Sequence, residues 1–377
     1  MRTPVAHPLW EMRLLGILAA VLAVLGVALV YGASSLWAIR EGQAGSVYAW
    51  RQFAGVLAGV VVLVVVSRLD YHVWRTLAWP LLVATGVVLL VLVLPFSHGI
   101  APVRNGARRW LEIGISVQPS EFAKFAVVGW TAALAAKKGD QIRHFKKGLL
   151  PFLVVLVPLA GLVVIEPDLS TGALLLIIAG TVLFVAGAKI GHFLVLGLIA
   201  IPVLWQQIAS VQYRLQRMVG FLGSGDDVAE ASWQITQSLT GIGAGRLVGV
   251  GFGEGMHKLG YLQYAYADFI FATIGEEWGF LGVLVTLALF GLFLLIGFRI
   301  ARRAPDAFGM YLATGLTVMI GLAVVLHVGV TLAVVPTTGI SLPFLSYGRS
   351  ALLVAFLSTG VLISVARHRH ARGAGSR

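Results

Sequence analysis

Leu14-Leu-Gly-Ile-Leu-Ala-Ala-Val-Leu-Ala-Val-Leu-Gly-Val-Ala-Leu-Val-Tyr-Gly32 runs for nineteen residues without a charge. Coiled as a helix rising 1.5 Å per residue, such a stretch spans the roughly 30 Å hydrocarbon core of a bilayer. It exceeds the roughly 7–15-residue apolar core of a cleavable signal peptide, so it reads as a retained helix. Similar runs recur, and the full set falls near 13–33, 52–67, 77–95, 120–136, 148–165, 170–187, 191–208, 269–298, 308–333 and 347–366. Several contain Gly or Pro, which membrane helices tolerate because neighbours satisfy the freed backbone groups. The pattern predicts an all-α, polytopic membrane protein of about ten transmembrane helices. One membrane domain, 1–377, is expected: a helical core over about 13–366, a long outer loop over about 209–268 between helices 7 and 8, and a basic tail over 367–377.

Composition points the same way. Of 377 residues, 58% are hydrophobic and 12% charged, and the mean hydropathy is +0.91. A soluble domain must face water and cannot conceal that much apolar surface. In a soluble protein a net charge of +12 would raise nucleic acid as a partner. Here the basic residues lie between apolar runs, so they mark topology and no nucleic acid is expected. Without cysteine, disulfides and thiolate metal sites are excluded.

Lys and Arg set the orientation. With the amino terminus cytoplasmic, 17 of the 28 fall on inner segments: Arg2, Arg13, Arg68, Arg75, Lys137, Lys138, Arg143, Lys146, Lys147, Lys189, Arg299, Arg302, Arg303, Arg367, Arg369, Arg372 and Arg377. An even number of spans returns the carboxyl terminus to the cytoplasm. Most outer basic residues cluster: Arg104, Arg108 and Arg109 in one loop, Lys124 at a helix start, Arg214, Arg217, Arg246 and Lys258 within 209–268, and Arg349 before the last helix. An outer loop of about 60 residues is long enough to suggest function.

Five outer segments hold the unusual polar residues. In the first, Asn105-Gly-Ala-Arg-Arg-Trp-Leu is followed by Val117-Gln-Pro-Ser-Glu-Phe-Ala-Lys124. Pro119 and Ser120 suit a helix start. Glu121 and Lys124 share a helix face and can pair. They are either a structural ion pair on a capped helix or part of a basic surface facing an anionic ligand. In the second, Glu166-Pro-Asp-Leu-Ser-Thr171 is a tight turn. Asp168 and Thr171 can cap the next helix, which leaves Glu166 unexplained.

The third runs from Trp233-Gln-Ile-Thr-Gln-Ser238 through Gly241-Ile-Gly-Ala-Gly-Arg246 and Gly249-Val-Gly-Phe-Gly-Glu-Gly255 to Lys258. It lacks the strand and βαβ unit that a dinucleotide fingerprint needs. Its glycine N–H groups, with Arg246 and Lys258, can instead wrap a phosphate. The fourth, Tyr266-Ala-Asp268-Phe-Ile-Phe-Ala-Thr-Ile-Gly-Glu276-Glu277, puts Asp268 at the mouth of an apolar helix and two acids inside it. A carboxylate at membrane depth costs on the order of 3 kcal/mol, so such residues face a cavity or a partner. The structural alternatives are an N-cap for Asp268 and a buried hydrogen-bond network for Glu276 and Glu277. The fifth, Val335-Pro-Thr-Thr-Gly-Ile-Ser-Leu-Pro-Phe-Leu-Ser346-Tyr-Gly348, reads as an irregular re-entrant segment.

At these residues the chain resembles the SEDS family, the cell-shape, elongation, division and sporulation membrane proteins RodA, FtsW and SpoVE. The matching motifs are Gly106-Ala-Arg-Arg-Trp, Gln118-Pro-Ser-Glu-Phe-Ala-Lys124, Glu166-Pro-Asp-Leu, Asp268-Phe-Ile-Phe-Ala with Gly275-Glu-Glu, and Leu342-Pro-Phe-Leu-Ser-Tyr-Gly348. They occur in the family's order over nearly the whole chain. Trp233-Gln-Ile-Thr-Gln-Ser-Leu and the glycine-rich run to Lys258-Leu-Gly-Tyr-Leu look more like FtsW, the division member, than RodA.

The resemblance implies a peptidoglycan glycosyltransferase of the bacterial inner membrane that polymerises lipid II, a disaccharide-peptide on undecaprenyl pyrophosphate. Its active face would be periplasmic. Its implied partners are a class B penicillin-binding transpeptidase and membrane proteins of the divisome or elongasome. The family's key acid falls on Asp268. Departures stand beside it: Tyr266-Ala267 where His-Thr is usual, Gln263-Tyr264 where Pro-Glu is common, Ser170 for Gly, and Arg349 and Ala351 in a usual Gly-Gly-Ser-Ser.

The implied chemistry suits the residues. A sugar hydroxyl attacks the anomeric carbon of a sugar pyrophosphate, whose leaving group needs cationic charge rather than a proton. One carboxylate then suffices as general base, unlike glycoside hydrolysis with its two. Asp268 is the expected base. Arg109, Lys124, Arg246 and Lys258 are candidate pyrophosphate contacts, with Glu121 and Ser346 at the substrate and Glu166, Asp168, Glu276 and Glu277 as supporting acids. A divalent cation, Mg or Mn, is an open addition. Two rival readings share the basic cavity. A lipid II flippase should carry polar residues through the full membrane depth, and a scaffold that only activates a transpeptidase leaves Asp268 without a role.

Overall fold

The computed structural model describes residues 9–94, 99, 101–102, 107–222 and 229–374. Arg2, Arg104, Asn105, Gly106 and Arg377, named above, lie outside the described residues. Twelve α-helices follow in chain order: α1 (Leu9–Arg40), α2 (Val47–Arg68), α3 (Val73–Val93), α4 (Pro119–Lys138), α5 (Leu150–Ile165), α6 (Leu169–Val185), α7 (Ile190–Ala209), α8 (Gln212–Leu222), α9 (Ala229–Ala244), α10 (Ile270–Arg302), α11 (Ala307–Thr331) and α12 (Arg349–Ala374). A small hairpin, β1 (Leu111–Ile113) and β2 (Ile115–Val117), precedes α4.

Each apolar run returns as a helix, and eight helices are long and apolar enough to cross a membrane. The runs at α4 and α6 fall short of that measure. α6 has 17 residues, and α4 carries Glu121, Lys124, Lys137 and Lys138. α6 is apolar and only short, with Ile177 and Phe184 exposed, whereas α4 is wrapped by protein. α4 packs against α3, α6, α11 and α12, and most of its side chains are buried. A helix that meets little lipid needs no apolar circumference. α7 is the opposite case, apolar with no buried residue. The 209–268 segment, read as a loop, contains α8, α9 and a short 3-10 turn over His257–Leu259. α8 is short and amphipathic, which a hydropathy window passes over.

Contacts define two ends of the bundle. At one, Arg299 and Arg303 of α10 pair with Glu11 of α1 at 2.6 and 3.1 Å. There His72 lies between Asp70 and Asp306, and Ser364 of α12 donates to Leu69 O. At the other, Arg40 donates to Leu259 O, and the turns around Arg109, Glu166 and Asp268 gather. The second is the end that the sequence's basic bias predicts to be outer.

The 335–348 segment has no helix, and Leu342, Phe344, Leu345 and Ser346 are buried. It dips into the bundle, as expected for a re-entrant segment. A Cβ on Gly26, midway along α1, would stand 2.2 Å from Phe344 O. Only a glycine permits that approach.

Candidate functional site

Asp268 lies two residues before α10, whose N-cap is Phe269, so the helix does not claim it as a cap. Its own backbone N–H donates to Tyr264 O at 3.0 Å. The re-entrant segment fixes the residues just before it. Ser346 Oγ donates to Ala267 O at 2.6 Å, and the Tyr347 N–H donates to Tyr266 O at 2.9 Å. Ser346 Oγ also accepts from the Leu342 N–H, and Gln52 of α2 holds Ser346 O. Ser346 therefore positions the acid's backbone. The rings of Tyr48, Tyr266 and Tyr347 meet at 5.0–5.7 Å, so Tyr266, one of the departures, is absorbed into an aromatic cluster.

Burial raises the Asp268 carboxyl above its ordinary 3.8, while the positive charges of Arg217 and Arg109 pull it back. The residue keeps partial exposure. Arg217 stands on α8 and donates to Thr337 O at 3.1 Å. Arg109 donates to Glu166 O at 3.2 Å and to Pro167 O, and lies 3.8 Å from Asp168. One turn from Arg217, Arg214 donates to Val164 O at 3.1 Å. Arg214 and Arg217 were absent from the expected site residues. The signal was an Arg-x-x-Arg pair on one face of a short amphipathic helix.

Asp168 caps α6, accepting from the Thr171 N–H at 3.1 Å. Glu166 has no such duty. It is 3% exposed, and neither carboxyl oxygen has a hydrogen-bond partner among the described residues. Burial, then the charge of Asp168, push it up to about 8 against the pull of Arg109.

The other expected residues form two separate constellations. Lys124 and Glu121 pair at 2.7 Å, both buried. They line a cavity with Ser341, Pro343, Met319 and Ala351 between α4, α11, α12 and the re-entrant segment. The third group holds the glycine-rich stretch. α10 breaks at Gly279 (φ 64°, ψ −162°), and the stretch fills the break. Val250 and Gly251 N–H groups donate to Glu276 O and Glu277 O, and Phe280 and Leu281 N–H groups donate to Arg246 O and Leu247 O. The Glu276 carboxylate accepts from Met256 N–H at 2.7 Å and lies 2.9 Å from His257 Nδ1. Glu277 accepts from Gly253 N–H at 3.0 Å and pairs with Lys258 at 2.5 Å. The acids thus form a buried network, and these glycine-stretch N–H groups are engaged within the protein rather than turned to a phosphate. Lys258 belongs to that network. Arg246 is exposed and adopts φ 47°. The fit to a divalent cation is poor: the acids around Asp268 and Asp168 stand among guanidinium groups. No group of three or more His, Asp or Glu suited to a metal occurs among the described residues.

Fold and site together define a polytopic membrane protein with an acid among arginines at one end of its bundle. The family model described as "Cell cycle protein", FtsW/RodA/SpoVE, matches residues 12–371, and the chain belongs to that family. It is 38% identical to Stage V sporulation protein E of Bacillus subtilis (strain 168), over 94% of this chain and 96% of that one. It is also 38% identical to a probable peptidoglycan glycosyltransferase FtsW of Trichlorobacter lovleyi, over 93% and 91%. Among solved structures it resembles a chain from work on polymerization and crosslinking by a peptidoglycan synthase complex (TM-score 0.74, 26% identity, 94% and 97% covered). It also resembles the rod shape determining protein RodA of Thermus thermophilus (TM-score 0.68, 28% identity, 94% and 96% covered).

Proposed function

We propose that the chain is a peptidoglycan glycosyltransferase that polymerises lipid II, working as one membrane domain with a class B penicillin-binding transpeptidase. Both termini are cytoplasmic and the Asp268 end faces the periplasm. The observation that carries this reading is a partly buried Asp268 acted on by Arg217 and Arg109 at one end of the bundle.

Asp268 takes the proton of the acceptor sugar hydroxyl as that oxygen attacks the anomeric carbon. The bond from that carbon to the pyrophosphate oxygen breaks, and polyprenyl pyrophosphate leaves with the electron pair. Arg109 and Arg217 stabilise the growing negative charge, because fixed cations act strongly where water is thinned. A raised carboxyl is a stronger base once ionised. Lys124, in the cavity below the re-entrant segment, is a further pyrophosphate contact. Glu166 and Asp168 order Arg109, whose guanidinium is held by the backbone of their turn.

The flippase reading finds less support. Buried hydroxyls deep in the bundle, Thr314 and Thr317 of α11 and Ser358 and Thr359 of α12, donate to their own helix carbonyls rather than lining a polar path. Purified protein, with and without its transpeptidase, is given labelled lipid II. Glycan chains with the wild type and none with Asp268→Asn are expected. Polymer undiminished in that variant removes the mechanism, and transbilayer movement of lipid II without polymer favours the flippase.

A further inference from the structure

The glycine-rich stretch was expected in the long outer loop, and its side chains do not suit an aqueous one. Leu247 and Val248 are 68% and 73% exposed, and Val250 and Phe252 are also exposed. No helix carries them. A soluble loop would leave four large apolar side chains together against water, a patch that soluble surfaces rarely present.

Backbone hydrogen bonds fix where this patch lies. The Phe280 N–H donates to Arg246 O at 2.8 Å and the Leu281 N–H to Leu247 O at 3.1 Å. Leu247 is therefore level with Leu281 on α10, a helix apolar enough to span. Phe280, Leu281, Leu284 and Val285 are themselves exposed on that helix. The basic residues at its other end begin at Arg299. From Phe298 back to Gly279, at 1.5 Å per residue, is about 30 Å, the thickness of the hydrocarbon core. The break at Gly279 thus falls at the membrane boundary, with the apolar patch beside it. Phe252 and Trp278, with ring centroids 6.4 Å apart, mark the level where aromatic residues gather in membrane proteins.

Non-helical backbone is tolerated at that depth only if its polar groups are satisfied. Here Gly249, Val250, Gly251 and Gly253 N–H groups all find protein acceptors, and Arg246 and Leu247 carbonyls accept from α10. From this geometry we infer that residues 247–252 are a lipid-anchoring lobe, seated in the acyl–headgroup boundary of the leaflet at the Asp268 end. The occupant of the patch is lipid, because backbone hydrogen bonds set it beside Phe280 and Leu281, where the exposed apolar side of the α10 span begins.

The chain has no cysteine, so single-cysteine variants report one position each. Leu247→Cys, Val248→Cys and Phe252→Cys are spin-labelled in phosphatidylglycerol–phosphatidylethanolamine liposomes. Leu284→Cys is the lipid reference and Gln263→Cys the water reference. Collision with oxygen and with a water-soluble nickel complex is then measured. The expected result is oxygen access exceeding nickel access at 247, 248 and 252, as at 284, and the reverse at 263. Nickel access exceeding oxygen access at these sites overturns the inference, as does exclusion of both reagents, which would mean a protein cover. Variants whose circular dichroism and elution match the parent's are compared, so misfolding cannot imitate either outcome. The result is independent of whether the protein polymerises lipid II.

Discussion

Two pairs of acids near the same end of the bundle are buried in opposite ways. Glu276 and Glu277 sit inside α10 and are met by backbone N–H groups, His257 and Lys258. Glu166 and Asp268 lie in turns and receive no hydrogen bond on their carboxyl oxygens from the described residues. Arginine charge and burial act on them instead. A buried carboxylate with full partners is architectural, because its preferred state is already fixed. One left short of partners has a proton affinity shifted away from its ordinary value and is ready for chemistry. On the proposed mechanism, the difference separates what holds the site from what works in it.

That contrast can be broken at several points. Asp268→Asn should lower polymerisation by about 10²–10⁴-fold with thermal stability unchanged, measured by glycan gels beside a melting curve. Lys258→Met should do the reverse. Removing one partner of a buried ion pair costs about 3–5 kcal/mol, so the melting temperature in detergent should fall sharply, and activity only with the folded fraction. Arg217→Ala should cost about 10²-fold or more in turnover, and unchanged turnover would detach α8 from the chemistry.

Acid–base behaviour sharpens the same contrast. Glu166, at about 8, keeps its proton in the folded protein where an unfolded chain has released it above the ordinary 4.5. The stability linked to this group therefore falls as pH rises from that value through about 8. Glu166→Gln should flatten that slope in melting curves recorded across the range. The polymerisation rate of the parent should rise with pH through a midpoint above 3.8, the ordinary aspartate value. The smallest effect is expected from Tyr48→Phe, which keeps the ring and loses one hydrogen bond to Glu41. A change of about 1 kcal/mol in stability is expected, with turnover nearly intact.

Much of the fold was legible because hydrophobic runs report it directly, and all ten returned as helices. α4 shows where that signal thins, since a helix enclosed by other helices no longer needs apolar flanks, whereas α6 stays apolar and is merely short. The proposal for Asp268 began from its place at the mouth of an apolar helix, where an acid demands a reason. The glycine-rich stretch misled because Gly, Arg and Lys together suit an anion, whereas Gly245, Gly249 and Gly279 permit backbone-to-backbone contact. A Cβ on Gly245 would meet Gly275 O at 1.9 Å. Arg214 and Arg217 were visible as outer charges, but only folding brings α8 against the end of α5 and the re-entrant segment.

The contact between Gly26 and Phe344 has a consequence for control. The segment that steadies Ala267 through Ser346 rests, a few residues earlier, on the middle of α1. Asp268, the proposed base, is thus cantilevered from a footing midway along α1. A hydrophobic compound wedged between α1 and that footing would tilt the beam and displace Asp268 without ever touching it.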